Sequence, residues 1–160
     1  MKTGYYWFFL IAVILNGCQK ETGNPTIDLT GSTDCKSLFK SEGEEGTQDC
    51  IEYVFSDNIL TIKHVNAGFN CCPEEFIVNL AVNGDTLIIT EREKESMCDC
   101  NCLFDLDYTL SDIARKTWWI RVKEQYVNPA EMDEIFFEAN LRKDPEGSWC
   151  VKRTTYPWGQ

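Results

Sequence analysis

The chain has 160 residues, with 15 basic and 26 acidic side chains, nine cysteines and one histidine, for a formal net charge of −11. That balance disfavours nucleic-acid binding, which needs clustered Lys and Arg against phosphates. With one histidine, any Ser-His-Asp or Cys-His device has to use His64, and the chain has no Gly-x-Ser-x-Gly, phosphate loop or His-Glu-x-x-His.

In chain order, the opening MKTGYYWFFLIAVILNGC has a basic start at Lys2 and an apolar run from Tyr5 to Leu15. This layout predicts a secretory signal peptide over residues 1–17. The run is too short for a bilayer-spanning helix, which needs about 20 residues. Leu15-Asn16-Gly17-Cys18 resembles a bacterial lipobox. The resemblance implies cleavage before Cys18, lipidation of its sulfur and attachment to a membrane through that lipid. The following CQKE resembles the short export signal of Bacteroidota lipoproteins, which implies the outer face of the outer membrane; the periplasmic leaflet is the alternative. Residues 18–32 then read as the lipidated N-terminus and a flexible tether of Gly, Asn, Pro, Thr and Asp.

Residues 33–160 suffice for one domain with a proper core. STDCKSLFK (32–40) starts with N-cap residue types and is expected to form a short helix, and SEGEEGTQD (41–49) an exposed acidic loop. From Cys50 onward the pattern is strand after strand. CIEYVF (50–55) and ILTIKHV (59–65) flank an Asp57-Asn58 turn. EFIVNLAV (75–82) and DTLIITE (85–91) flank Asn83-Gly84, a strong hairpin signal. CLFDLDYTL (102–110), KTWWIRVKE (116–124), EIFFEANL (134–141) and WCVKRT (149–154) follow. The connections are too short for helical crossovers, so antiparallel neighbours are expected. Alternation puts Phe104, Leu106, Tyr108 and Leu110 inward, with Asp105, Asp107 and Thr109 outward. It puts Trp118, Ile120 and Val122 inward, with Trp119, Arg121 and Lys123 outward. One buried and one wet face per strand predicts an all-β fold: an antiparallel two-layer β-sandwich of about eight strands, with an eight-stranded up-and-down barrel as the alternative.

Eight cysteines remain beside Cys18: Cys35, Cys50, Cys71, Cys72, Cys98, Cys100, Cys102 and Cys150. An even number in an exported domain reads as structural disulfides. Alternate residues on a strand lie about 6.5–7 Å apart, too far for easy bonding, and an adjacent pair is strained, so bonds are expected between clusters. Cys71 and Cys72 are expected to pair with two of Cys98, Cys100 and Cys102, and Cys35 with Cys50 or Cys150. The competing reading is a soft thiolate site for zinc or copper made by Cys71, Cys72, Cys98, Cys100 and Cys102. Its Cys-Cys and Cys-x-Cys-x-Cys spacing fits zinc ribbons poorly. Redox chemistry lacks its Cys-x-x-Cys motif, and His64, in phase with Leu60 and Ile62, reads as a satisfied, partly buried side chain rather than a ligand.

No residue stands out as catalytic, although surface carboxylates leave a small hydrolase as an alternative. Trp119 and Arg121, together with Trp149, Tyr156 and Trp158 in SWCVKRTTYPWGQ, are the candidate binding residues for a glycan or a protein. The competing reading of the C-terminal rings is a cap over the open end of the core. The lipobox, CQKE, FNCCPE, CDCNCLFD and YPWG together resemble small cysteine-rich β-domain lipoproteins of gut-type Bacteroidota. The resemblance implies location and fold and carries no activity. The expected role is non-catalytic binding or scaffolding at the cell surface, with no cofactor unless the thiolates hold zinc or copper.

Overall fold

A computed structural model of the chain describes residues 23–36, 48–94 and 98–154. Nine strands form two sheets packed as a sandwich: β1 (Thr26–Ser32), β2 (Gln48–Ser56), β3 (Ile59–Asn70), β4 (Phe76–Asn83), β5 (Thr86–Glu93), β6 (Asn101–Ser111), β7 (Thr117–Lys123), β8 (Ile135–Asn140) and β9 (Glu146–Lys152). One sheet has the order β1-β6-β3-β2-β9, the other β4-β5-β7-β8. The sheets do not close into a barrel.

The apolar phases explain the packing. Ile51, Tyr53 and Phe55 on β2, Leu60 and Ile62 on β3, and Leu106, Tyr108 and Leu110 on β6 face Leu87 and Ile89 on β5, Trp118, Ile120 and Val122 on β7, and Ile135, Phe137 and Ala139 on β8. Every one of these is buried, so both sheets contribute one dry face to a single core. Asp57 and Asn58 turn the β2–β3 hairpin with φ of 52° and 64°, as a two-residue turn with both positions left-handed requires. The β4–β5 turn lies one residue beyond the expected Asn83-Gly84: Asn83 pairs with Thr86, and Gly84 with φ of 58° takes the first central position.

Four expectations are corrected. Residues 26–32, read as tether, form β1, because Ile27 and Leu29 pack on the core while the strand pairs with β6. The described part of the 32–40 helix is extended. Its backbone is taken by β6 instead: Thr33 N–H donates to Asp105 O at 2.9 Å and Lys36 N–H to Leu103 O at 2.8 Å. This segment also covers the outer side of β6, so Asp105, expected to face solvent, is buried; Lys36 Nζ pairs with its carboxylate. Finally, the neighbours β5 and β7 run parallel. Strand β6, between them in sequence, crosses the core into the other sheet, and the chain returns in its former direction.

Asn66, with φ of 70°, forms a bulge between His64 and Ala67. It shifts the core phase of β3 from Leu60, Ile62 and His64 to Ala67 and Phe69. The Asn66 backbone N–H donates to Asp105 Oδ1 at 3.0 Å, and its side chain donates to Gln48 O at 2.7 Å.

All eight cysteines of the domain are bonded: Cys35–Cys102, Cys50–Cys150, Cys71–Cys100 and Cys72–Cys98. The cluster-to-cluster pairing is as expected, for a different reason than a meander: β3 and β6 are directly paired, ending at Asn70 opposite Asn101, so Cys71-Cys72 and Cys98–Cys100 flank the same strand end. Cys35 bonds Cys102, not Cys50 or Cys150, because the 33–36 segment lies along β6 while Cys50 faces Cys150 directly across β2 and β9. Cys102 points into the core, whereas Cys98 and Cys100 are exposed ahead of the strand.

Without reductant, these cysteines are expected to resist alkylation completely, read by intact mass. Replacing the Cys50–Cys150 bond, which spans 100 residues, by two alanines is expected to cost about 2–5 kcal/mol in urea unfolding.

Candidate functional site

Two places gather the chemistry of the chain, one sealed between the sheets and one on the surface. The sealed one is built from strand positions that share the core phase. Asp49 on β2 precedes Ile51, Tyr53 and Phe55 at steps of two; Glu91 on β5 follows Leu87 and Ile89; Glu124 follows Trp118, Ile120 and Val122 of β7; Arg153 follows Val151 of β9. Each is carried inward by its strand's alternation. Together with His64 on β3 and Tyr108 on β6 they form one hydrogen-bonded cluster.

His64 is its centre and is fully buried. Its Nδ1–H donates to Glu91 Oε1 at 2.8 Å and its Nε2–H to Asp49 Oδ1 at 2.6 Å. Tyr108 O–H donates to the same Glu91 oxygen. Arg153 Nε donates to Asp49 Oδ2 at 2.8 Å, its NH2 group to that oxygen and to Glu124 Oε2 at 2.6 Å, and its NH1 group to the Asp133 carbonyl at 2.5 Å. Among the described residues, Glu91 Oε2 and Glu124 Oε1 find no hydrogen-bond partner.

These contacts set the protonation states. Burial alone would lower the His64 value, but the charges of Glu91 and Asp49 and their hydrogen bonds hold it well above 6.5. Burial alone would raise Asp49, but the His64 charge, then Arg153, hold it below 3.8. Glu124 is pushed well above 4.5 by burial and by the Asp49 charge. Burial and Glu91 together push the Tyr108 hydroxyl well above 10.0. The cluster is thus an imidazolium and a guanidinium set against three carboxyl groups, one of which holds its proton readily. Carboxylates do converge on the single histidine, as an enzyme reading needs. Yet His64 and Asp49 have no exposed surface, so the arrangement as it stands fastens the two sheets together and presents nothing to a substrate. Asp49, placed by the sequence reading in an exposed acidic loop, is one of its least accessible members. One nitrogen or oxygen from each of Asp49, His64 and Glu124 lie within 4.8 Å of one another, a spacing that suits a cation. Arg153 already bridges Asp49 and Glu124 there, as a resident cation.

Of the other candidate metal ligands, Cys71, Cys98 and Cys100 have sulfurs within 4.8 Å of one another. Their closeness follows from the neighbouring Cys71–Cys100 and Cys72–Cys98 bonds, and sulfur in a disulfide offers no thiolate. The same holds for Cys102, bonded to Cys35.

The surface place is the outer face of the four-stranded sheet. Trp119 on β7 and Phe136 on β8 stack there with centroids 5.0 Å apart and planes at 27°, each about 40% exposed. Arg121, two residues along β7, lies opposite Phe136 with its guanidinium 4.6 Å from the ring centre. Its Nε is 3.7 Å from Glu134 Oε2, beyond hydrogen-bond reach. Trp119 and Arg121 therefore stand together where the alternation put them. Phe136 was not singled out, although its out-of-phase position between Ile135 and Phe137 marks it. Trp149 has a different role: it stacks at 11° on buried Phe137, which in turn stacks on Tyr53, so it caps the core between β8 and β9. Tyr156, Trp158 and Cys18 lie outside the described residues.

Comparisons of the chain with protein-family models, with curated proteins and with solved structures found no match.

The shifts fix the pH dependence of stability. His64, raised when folded, contributes fully below pH 6.5, and its contribution is lost as pH climbs through the folded value. Glu124, also raised, favours the folded state below 4.5 and costs stability above it. Asp49, lowered, contributes above 3.8 and fails as pH drops through its folded value. Thermal unfolding is expected to show a maximum on the mildly acidic side and a decline above pH 6.5. In His64→Gln, the decline above pH 6.5 is expected to flatten and overall stability to drop by about 3–5 kcal/mol, as when one partner of a buried ion pair is removed.

Proposed function

We propose that the protein is a lipid-anchored binding domain of the outer membrane surface, held through Cys18, that takes its ligand on the outer face of the four-stranded sheet and performs no chemistry of its own. The observation that carries this reading is the stacked Trp119–Phe136 pair, with Arg121 laid on its edge. Large aromatic rings are the residues that contribute most where proteins bind partners. Both belong to regular, directly paired strands, Trp119 on the inner strand β7 and Phe136 on the edge strand β8, so their positions are fixed before a ligand arrives and little ordering entropy is lost on binding. The disulfides and the buried charge cluster support the same reading, since their interactions are spent on the scaffold. The lipobox-like LNGC and the export-like CQKE support the location.

Two measurements test the reading. The wild-type chain, screened on immobilised glycans and surface proteins, is expected to be retained, and Trp119→Ala to lose at least tenfold in affinity with an unchanged melting temperature. Retention that survives Trp119→Ala would move the binding site elsewhere. Cys18→Ser is expected to shift the protein from the membrane fraction to the soluble one; continued membrane association would refute the anchor.

A further inference from the structure

We infer that the ligand of this face is an anionic polysaccharide, a chain of sugar rings bearing carboxylate or sulfate groups; this rests on the binding reading above and narrows it. The two outer faces of the sandwich differ in charge. The five-stranded sheet shows Asp28, Glu52, Asp107 and Glu146 outward, against Lys63 and Lys152. The four-stranded sheet shows Arg92, Arg121 and Lys123 outward, against Glu138 and, just before β8, Glu134, whose Oε2 lies 3.7 Å from Arg121 Nε. A cationic face on a chain of net charge −11 is a local arrangement that overall composition does not supply.

The register lines these groups up. β5 and β7 run parallel with Thr86 beside Trp119, Ile88 beside Arg121 and Thr90 beside Lys123. At about 3.3 Å per residue, Trp119, Arg121 and Lys123 mark out about 13 Å along β7, and Arg92 on β5 extends the line to about 20 Å. The aromatic stack is at one end and the cations follow from it. A linear polymer with an apolar ring face and repeated anions fits such a track: a sugar ring lies on Trp119 and its acidic neighbours meet Arg121, Lys123 and Arg92. The acidic face lies on the far side of a second sheet packed about 10 Å away, more than one screening length of about 8 Å at physiological salt, so it does not repel the ligand strongly.

The remaining outward side chains favour sugar over the other anionic surfaces. Asn79, Thr86, Thr90 and Thr117 are uncharged hydrogen-bonding groups flanking the track: Thr86 lies beside Trp119, Thr90 beside Lys123 with Asn79 next to it, and Thr117 precedes Trp119 on β7. Hydroxyl groups repeated along a polysaccharide satisfy them in line with the cations, a fixed spacing that mobile lipid headgroups do not hold. An acidic peptide would instead leave Trp119 and Phe136 without a flat ring face to cover them.

The test is affinity electrophoresis of the full-length chain through gels containing polygalacturonate or chondroitin sulfate, with neutral dextran as control, plus flotation with phosphatidylglycerol vesicles and titration with polyglutamate. Retardation by the two acidic polysaccharides alone, weakening as salt rises, is the expected result. Arg121→Ala with Lys123→Ala is expected to cut that affinity about tenfold or more and flatten its salt dependence; Trp119→Ala is expected to weaken it while leaving the salt dependence in place. Equal retardation by dextran would overturn the anionic class, and so would a stronger response to vesicles or polyglutamate. Acidic-polysaccharide binding indifferent to Arg121 and Lys123 would overturn the assignment to this face. If no acidic polysaccharide is bound yet other ligands are retained through Trp119, the narrower inference fails and the binding reading stands; if nothing is retained, both fail.

Discussion

His64 and Arg153 are two positive charges placed in the dry layer between two β-sheets, and the sandwich is arranged around keeping both paired. His64, on the five-stranded sheet, reaches across to Glu91 on the four-stranded one while holding Asp49 on its own side. Arg153 repeats the arrangement, joining Asp49 to Glu124. A hydrophobic interface alone tolerates sliding, because burial is non-directional. Ion pairs with defined partners do not. The cluster therefore specifies which strand ends meet, at a desolvation cost that pairing of both cations offsets. The conditions for that pairing are visible elsewhere. The Asn66 bulge lies two residues from His64, and the Asn66 side chain holds the backbone just before Asp49. Arg153, just beyond β9, also binds the carbonyl of Asp133, just before β8, so the loops at that end are tied to the same centre.

With the interior committed in this way, the two outer faces are left to differ. The five-stranded sheet is partly roofed by residues 33–36, and Lys36 spends its charge on Asp105 and Asn66. The outer face of the four-stranded sheet has no such cover among the described residues, and there the aromatic and cationic side chains collect. Its strands come from a regular ladder without bulges from β4 to β8, which gives a flat surface rather than a cleft. A flat rigid sheet with a row of like functional groups suits an extended, repetitive partner better than a compact one.

Much of the fold was legible in the sequence. The eight strands β2 to β9 were readable because each carries an alternating stretch bounded by turn residues, although the Asn66 bulge that carries β3 on to Asn70 left no such signal. The ninth, β1, was not, because TIDLTGS has only Ile27 and Leu29 as apolar anchors between residues typical of linkers. The parallel β5–β7 pair was hidden because loop length tells whether strands can be neighbours but not whether an intervening strand crosses to the other sheet. Outward Trp119 and Arg121 were found by the period of two. The buried cluster was missed although that same period exposes it: Asp49, Glu91 and Glu124 each continue an apolar phase, and a charge in such a position points inward. At a strand end it is more often a solvated terminus, and the partners that make burial tolerable are far apart in sequence, as with Asp49 and Arg153.

The disulfide connectivity has a topological consequence. The loop closed by Cys35–Cys102 and the loop closed by Cys50–Cys150 overlap, so every peptide bond from residue 35 to residue 150 lies inside at least one covalent ring. A single cut by a protease anywhere in that interval releases no fragment. Likewise, a pull on the N-terminal segment that strips the edge strand β1 is arrested at Cys35, whose bond passes it to Cys102 at the start of β6. That wiring keeps the aromatic face in one piece after damage that would dismantle an unlinked sandwich.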